Sequence, residues 1–252
     1  MNAPKVSTKW LPLPTDMGRE KTFRFKQFAV LNDRTAMKVG TDGVLLGAWC
    51  PVEGARRALD VGTGCGVIAL MIAQRNPDAV IDSIDIDHGA IEEASINFAR
   101  SPWSQRLTAI EGDFNEMDTK VCYNLIVSNP PYFTDSLLPT DGSRTLARHC
   151  QTLSYHQLID GASRLLASDG ILALISPTDA EETIIEAATF ASLPVRTMTR
   201  VIPVQGAAPK RTLWLLSRRS LQYKEDTLTI ARNDGTFTDE YVALTSPFYL
   251  KM

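Results

Sequence analysis

Two short stretches of this 252-residue sequence combine residue types that can do chemistry. The first is Asn129-Pro130-Pro131-Tyr132, which follows the apolar run Leu125-Ile-Val-Ser128. A proline holds its own backbone torsion nearly fixed and lacks an N–H. The corner is therefore rigid. Its carbonyls point outward as acceptors, and the Asn129 amide oxygen adds another. Tyr132 adds a flat face for stacking. That set suits a planar amino group on a base or an amide, whose two N–H donors need two acceptors. Holding both donors draws the nitrogen lone pair out of conjugation and aims it at an electrophile. Rate then comes from alignment and placed dipoles, with no strong base required beforehand. Asn129, Pro130 and Tyr132 are the candidate catalytic residues, and Phe133 is a second candidate stacking ring.

The second stretch is Leu59-Asp-Val-Gly-Thr-Gly-Cys-Gly-Val67. Its glycines allow a tight turn and let a ligand approach the backbone. The spacing is Gly-x-Gly-x-Gly behind an acid, whereas dinucleotide sites use Gly-x-Gly-x-x-Gly. A pyrophosphate seeks free N–H groups at a helix N-terminus; Asp60 would repel that anion but attract a cationic amino group. The ligand these residues suit is S-adenosylmethionine, an adenosine carrying an amino acid on sulfur. Asp85 ends the next apolar run, at the distance beyond the glycines where an acid can accept both ribose hydroxyls. Asp113 can accept from the adenine amino group, and Phe114 can cover the ring. Candidate cofactor residues are thus Asp60, Gly62, Gly64, Gly66, Asp85, Asp113, Phe114 and Asn129.

These residues need elements to position them. Short apolar runs at 58–61, 80–85, 107–111, 125–128, 170–176, 195–204 and 212–217 read as strands. Helical stretches fall between them at 66–74, 89–98, 155–166 and 180–191, with another at 238–244. Strands alternating with helices of this length form right-handed parallel βαβ units. The predicted fold is doubly wound α/β with a mostly parallel seven-stranded sheet. Its last two strands, joined without a helix, make an antiparallel edge hairpin. Residues 22–31 read as a small hairpin, and Thr41 or Asp42 as the N-cap of a short helix ending at Trp49. Residues 1–40 are expected to be an N-terminal strand and hairpin extension packed on a catalytic domain spanning 41–252.

Composition narrows the class. With 44% apolar and 22% charged residues the chain is globular. The longest apolar runs, such as Val67–Ala73, are far below the roughly 18 residues that cross a bilayer. The stretch Met1–Asp16 has no apolar segment of the secretory type, so a cytoplasmic location is expected and no membrane partner. Four widely spaced cysteines without a CxxC pair, and only three histidines, predict no metal site and no disulfide framework. The net charge of −3 is uneven: residues 1–38 carry 8 Lys/Arg against 3 Asp/Glu, and residues 193–224 carry 7 against none. Two basic segments around an acidic middle can steer a polyanion to one face.

Asp60–Gly66, Asp85, Asp113 and Asn129–Tyr132 together resemble the motifs of class I (Rossmann-like) methyltransferases that act on exocyclic or amide nitrogen. A narrower resemblance covers nearly the whole chain. Phe23–Phe28, Met37–Trp49, Ser101-Pro-Trp103 and Tyr241–Met252 are similar to a bacterial family that methylates N6 of the adenine just 3′ of the anticodon in a valine tRNA. The resemblance implies S-adenosylmethionine as donor and tRNA as acceptor. It also implies that Lys38, Thr41 and Asp42 help close over the methionine end of the donor. Cys65 departs from the small polar residue more usual in the glycine loop, and a thiol still fits there.

Arg24 and Lys26 in the first hairpin, Arg144 and Arg148 after the proline corner, and Lys210 and Arg211 in the later hairpin are candidate phosphate contacts. A loop base can be splayed out and stacked for such chemistry. Two other enzymes share the Asn-Pro-Pro-Tyr logic. A release-factor glutamine N5 methyltransferase has a sizeable helical N-terminal domain, whereas this chain reaches its glycine loop by Gly62 through apparent strands and one short helix. A ribosomal-RNA guanine-N2 methyltransferase would place Phe-His after Pro-Pro, whereas this chain has Tyr132-Phe133-Thr134. The oligomeric state is left open by the sequence.

Overall fold

Side chains that alternate between the two faces of a strand divide the interior into two cores. Leu125 and Val127 join one apolar cluster, with Ala173 and Ile175 of the neighbouring strand; Ile126, Leu172 and Leu174 join the other. Full burial of each such aliphatic side chain contributes roughly 1.5–3 kcal/mol. The computed structural model describes residues 22–35, 38–118, 120–131, 153–219 and 222–251.

A two-stranded antiparallel sheet comes first, β1 (Thr22–Arg24) and β2 (Ala29–Leu31), as the sequence predicts. Helix α1 (Thr41–Trp49) follows. Then come β3 (Arg57–Val61), α2 (Val67–Arg75), β4 (Val80–Asp85), α3 (His88–Ala99), β5 (Leu107–Glu111) and β6 (Tyr123–Ser128). The second half comprises α4 (Tyr155–Leu165), β7 (Leu166–Pro177), α5 (Glu181–Phe190), β8 (Val195–Val204), β9 (Arg211–Leu216), β10 (Lys224–Ala231) and α6 (Asp239–Thr245).

The large sheet runs β10-β8-β9-β7-β6-β3-β4-β5. All its pairings are parallel except the two made by β9. Seven of these strands answer to the seven expected ones, and the β8–β9 hairpin is antiparallel as expected. The eighth, β10, lies outside that hairpin and pairs with β8. Its opening Lys224-Glu225-Asp226 reads as loop, and only Leu228 is buried in its middle. One-sided burial on an edge strand leaves a weak periodic signal.

The start of α1 also differs from expectation. Gly40, in extended conformation, precedes the helix and no side chain caps it. Thr41 is the first helical residue, and Asp42 in the first turn is drawn instead into an ion pair with Arg211.

Candidate functional site

Four strand tips form one row. Because β6, β3, β4 and β5 are adjacent and parallel, their carboxyl ends open on one edge of the sheet. The chain runs outward from β3 through β4 to β5, then returns to place β6 on the other side of β3. That reversal opens a crevice between the tips of β3 and β6, the place where doubly wound sheets bind ligands. The glycine loop fills one side and Asn129-Pro130 the other.

Glycines 62, 64 and 66 adopt φ of +70°, +55° and +81°. A side chain at Gly66 would also meet the Phe98 ring at 2.4 Å, whereas added Cβ atoms at Gly62 or Gly64 meet nothing within 4 Å. The first two glycines thus keep the loop's outer face open, and the third lets it pack on α3. Backbone bonds fix the loop: the Gly62 and Thr63 N–H groups donate to Ile84 O at 2.9 and 3.2 Å, and the Gly66 N–H to Thr63 O at 2.9 Å.

Asp60 is fully buried at the loop's entrance. Its Oδ2 accepts from the Thr63 hydroxyl at 2.7 Å, while Oδ1 meets no donor within hydrogen-bond distance. Burial pushes the carboxyl up to about 7; the Thr63 hydroxyl and the Ala69 N–H at the start of α2 act in the opposite direction, and Asp85 adds to the rise. An uncompensated buried acceptor is costly, and a cationic group placed beside it would relieve the cost.

Asp85 ends β4 beside the loop. Its Oδ2 accepts from the Gly64 N–H at 2.9 Å and its Oδ1 from the Asp87 N–H at 3.0 Å. Each oxygen keeps a further lone pair for a ligand. Burial also lifts this carboxyl above its ordinary value. At the next tip the Gly112 N–H donates to Asp85 O, and Asp113 Oδ1 accepts from the Asn115 N–H at 2.8 Å. Asp113 thus caps a single turn at 114–116 through Oδ1, which also accepts from Asn115 Nδ2 at 2.9 Å. Phe114 is 4% exposed. Its ring fills the space beside Gly161 of α4, where a Cβ would approach it to 2.5 Å. The Phe114 side chain is therefore packed into the core beneath this edge, at a site opened by Gly161.

On the other side of the crevice Asn129 is half-buried, Pro130 buried and Pro131 exposed. A Cβ on Gly43 would stand 3.5 Å from Val67 Cγ1 and 3.9 Å from Asn129 Nδ2, so α1 lies against both the proline corner and the start of α2. Asp42, one residue earlier, accepts from Arg211 Nε at 2.8 Å. Lys38 Nζ donates to the Asp33 and Thr35 carbonyls at 2.7 and 2.8 Å, closing the turn that leads into α1. Lys210 is exposed beside Arg211. Arg24 is exposed on β1, and Lys26 Nζ donates to Ser246 O at 2.6 Å, which ties the first hairpin to the carboxy-terminal segment. Tyr132, Phe133, Arg144 and Arg148 lie outside the described residues. Among the described residues no His, Cys, Asp or Glu cluster could hold a metal ion, and no helix is long and apolar enough to cross a membrane. Cys50 and Cys65 are buried free thiols and Cys122 is an exposed one.

Sequence reasoning passed over Glu93 and Asn97. Both are buried on α3, one turn apart. Glu93 accepts from the N–H groups of Asp33, Arg34 and Thr35 at 2.6, 2.9 and 3.1 Å. Burial alone would raise its carboxyl, but the three N–H bonds outweigh burial and hold it below the ordinary value. The available signal was a pair of polar residues at i and i+4 flanking the apolar stripe Ala90, Ala94 and Phe98.

The family described as "Methyltransferase small domain" matches residues 38–193. A tRNA1(Val) (adenine(37)-N6)-methyltransferase from Aeromonas hydrophila is 46% identical over 237 residues, covering 94% of this chain and 100% of the relative. The protein of the same description from Bacteroides fragilis is 46% identical over 233 residues, covering 91% of this chain and 98% of its own. Among solved structures, a predicted O-methyltransferase from Agrobacterium tumefaciens superposes with a TM-score of 0.65 at 20% identity, over 82% of this chain and 96% of that one. That likeness is one of fold.

Proposed function

We propose that this chain, which belongs to the tRNA1(Val) (adenine(37)-N6)-methyltransferase family, moves a methyl group from S-adenosylmethionine to the exocyclic N6 of adenine 37 in a valine tRNA. The observation that carries the chemistry is the crevice between the β3 and β6 tips, with an open glycine loop on one wall and an Asn-Pro corner on the other. Residues of the crevice fit the donor. The lone buried Oδ1 of Asp60 suits its ammonium group, the open faces of Gly62 and Gly64 suit close approach, and the spare lone pairs of Asp85 suit ribose hydroxyls. S-adenosylmethionine supplies an electrophilic methyl on a sulfonium.

The rest belongs to the chain's own groups. Asn129 Oδ1 and the Pro130 carbonyl accept the two N–H bonds of the adenine amino group. They hold its plane so that the nitrogen lone pair faces the crevice. Helix α1 backs Asn129 at Gly43. The extra proton on nitrogen leaves after transfer, so no side chain needs to act as a strong base first. Tyr132 and Phe133 are the candidate stacking rings, and Arg144, Arg148 and Lys210 the candidate phosphate contacts. Residues 22–35 and 38–40 serve as an extension of the catalytic domain, the rest of the expected 1–40 extension lying outside the described residues, and a tRNA acceptor fits a cytoplasmic enzyme.

The test is to incubate the protein with total tRNA and labelled donor and to map the modified nucleoside by mass spectrometry. N6-methyladenosine next to the valine anticodon is the expected product; label in protein, in guanine or nowhere would refute the assignment. In Asn129→Ala the turnover should fall by about 100-fold or more, the scale of losing one placed polar group at a reacting centre. Donor affinity measured by calorimetry should stay within about threefold of wild type if Asn129 acts on the acceptor.

A further inference from the structure

Several backbone groups of the glycine loop have identifiable holders. Strand β4 holds Gly62 and Thr63 through Ile84 O, and Asp85 holds Gly64. The Cys65 carbonyl is held by a side chain to which neither the motif nor the chemistry assigns a role. Asn97 Nδ2 donates to Cys65 O at 2.8 Å and also to Leu31 O at 3.0 Å, and Asn97 Oδ1 accepts from the Leu31 N–H at 2.7 Å. The residue is 1% exposed. One amide thus joins three segments: β2, the glycine loop and α3.

The neighbouring contacts point the same way. Phe98, the next residue, occupies the space beside Gly66 that any larger residue there would need. Glu93, one turn earlier, gathers the N–H groups of residues 33–35, and Lys38 returns to the carbonyls of 33 and 35. The loop is therefore set from the sheet side by Asp85 and from the helix side by Asn97, with the N-terminal strand as the brace.

We propose that Asn97 is a positioning residue for the methyl donor: by fixing the Cys65 carbonyl against Leu31 it sets the loop geometry that the donor requires. The proposal rests on the donor assignment made above. Loss of the Nδ2 donor leaves a buried carbonyl unpaired, and the loop relaxes around Cys65, which stands between Gly64 and Gly66, both at positive φ.

Two variants separate positioning from simple support. Asn97→Leu removes all three bonds. Asn97→Asp keeps the size and the acceptor for the Leu31 N–H, and replaces the donor to Cys65 by an oxygen. A control is Asn76→Asp, because Asn76 is also a buried amide that ties carbonyls, those of Val52 and Ala55, beyond the far end of α2. Donor Kd is measured by calorimetry with S-adenosylmethionine and S-adenosylhomocysteine alone, well below each variant's Tm, alongside tRNA Kd and kcat at saturating donor.

The expected result is a donor Kd raised at least tenfold in both Asn97 variants, with kcat and tRNA Kd within about threefold and the donor Kd of Asn76→Asp unchanged. A donor Kd within twofold of wild type in Asn97→Asp overturns the proposal, as does an equal loss in the Asn76 control. Should Asn97→Leu fail to fold, Asn97→Asp decides. A wild-type protein that binds the donor but leaves tRNA unmethylated refutes the acceptor assignment instead, while the donor-binding comparison still tests Asn97.

Discussion

Asp60 is the residue whose surroundings make the sharpest demand. Its carboxyl, ordinarily near 3.8, sits at about 7 because burial penalises the charge. Between those two pH values the folded chain holds a proton that the unfolded chain has released. The contribution of Asp60 to stability therefore falls as pH rises from about 4 to 7 and is level above that. A cationic ligand reverses the preference, since it favours the carboxylate. Binding S-adenosylmethionine below pH 7 should then expel a proton, so donor affinity should climb with pH by up to about tenfold per unit and flatten above 7. Asp60→Asn should bind the donor more weakly and lose that part of the slope, leaving the smaller contribution of Asp85. Calorimetry from pH 5.5 to 8 in buffers of different ionisation heat reads both the slope and the proton. Parallel profiles for wild type and variant would remove the ammonium from this site.

At the scale of elements, the glycine loop and α3 behave as one unit. Gly66→Ala forces a left-handed φ onto a residue with a Cβ, at about 1–2 kcal/mol, and drives that Cβ into Phe98. Overpacking of this kind adds about 1–3 kcal/mol. A fall in Tm of roughly 5–15 °C is expected for a chain of this size, measurable by scanning calorimetry; an unchanged Tm would mean that α3 moves aside at little cost. The glycines were legible in the sequence because a loop that approaches a ligand has few other options, and the strand tips were legible because apolar runs end in acids at 60 and 85 and in Asn129. Less was legible where tertiary packing overrides local type. Phe114 carries the same residue type whether it covers a ligand or fills a gap beside Gly161. Asp42 looks like a helix cap until β9 brings Arg211, 169 positions away, to its side. Asn97 has only the weak mark of a polar residue beside an apolar stripe, since the groups it bonds, on Leu31 and Cys65, lie 66 and 32 residues back.

At the scale of the whole molecule, the uneven charge predicts how tRNA is met. Arg211 is already neutralised by Asp42, while Lys210 beside it is exposed. Lys210→Glu should weaken tRNA binding and lower the slope of log K against log salt by about one unit, the signature of one lost phosphate contact. An unmoved slope in filter binding between 50 and 200 mM salt would take the β8–β9 hairpin out of the RNA footprint. The two described ends of the chain also meet. The Lys26 N–H donates to Phe248 O at 2.8 Å, Phe25 bridges Tyr249, and the rings of Phe25 and Tyr249 stack at 6.0 Å. During synthesis the first hairpin can pack on α3 through Leu31 and Asn97, but its contacts with Ser246, Phe248 and Tyr249 form only once those residues have left the ribosome. A tail fused directly behind Leu250 would burden that closing step, whereas the same tail ahead of Thr22 would leave it open.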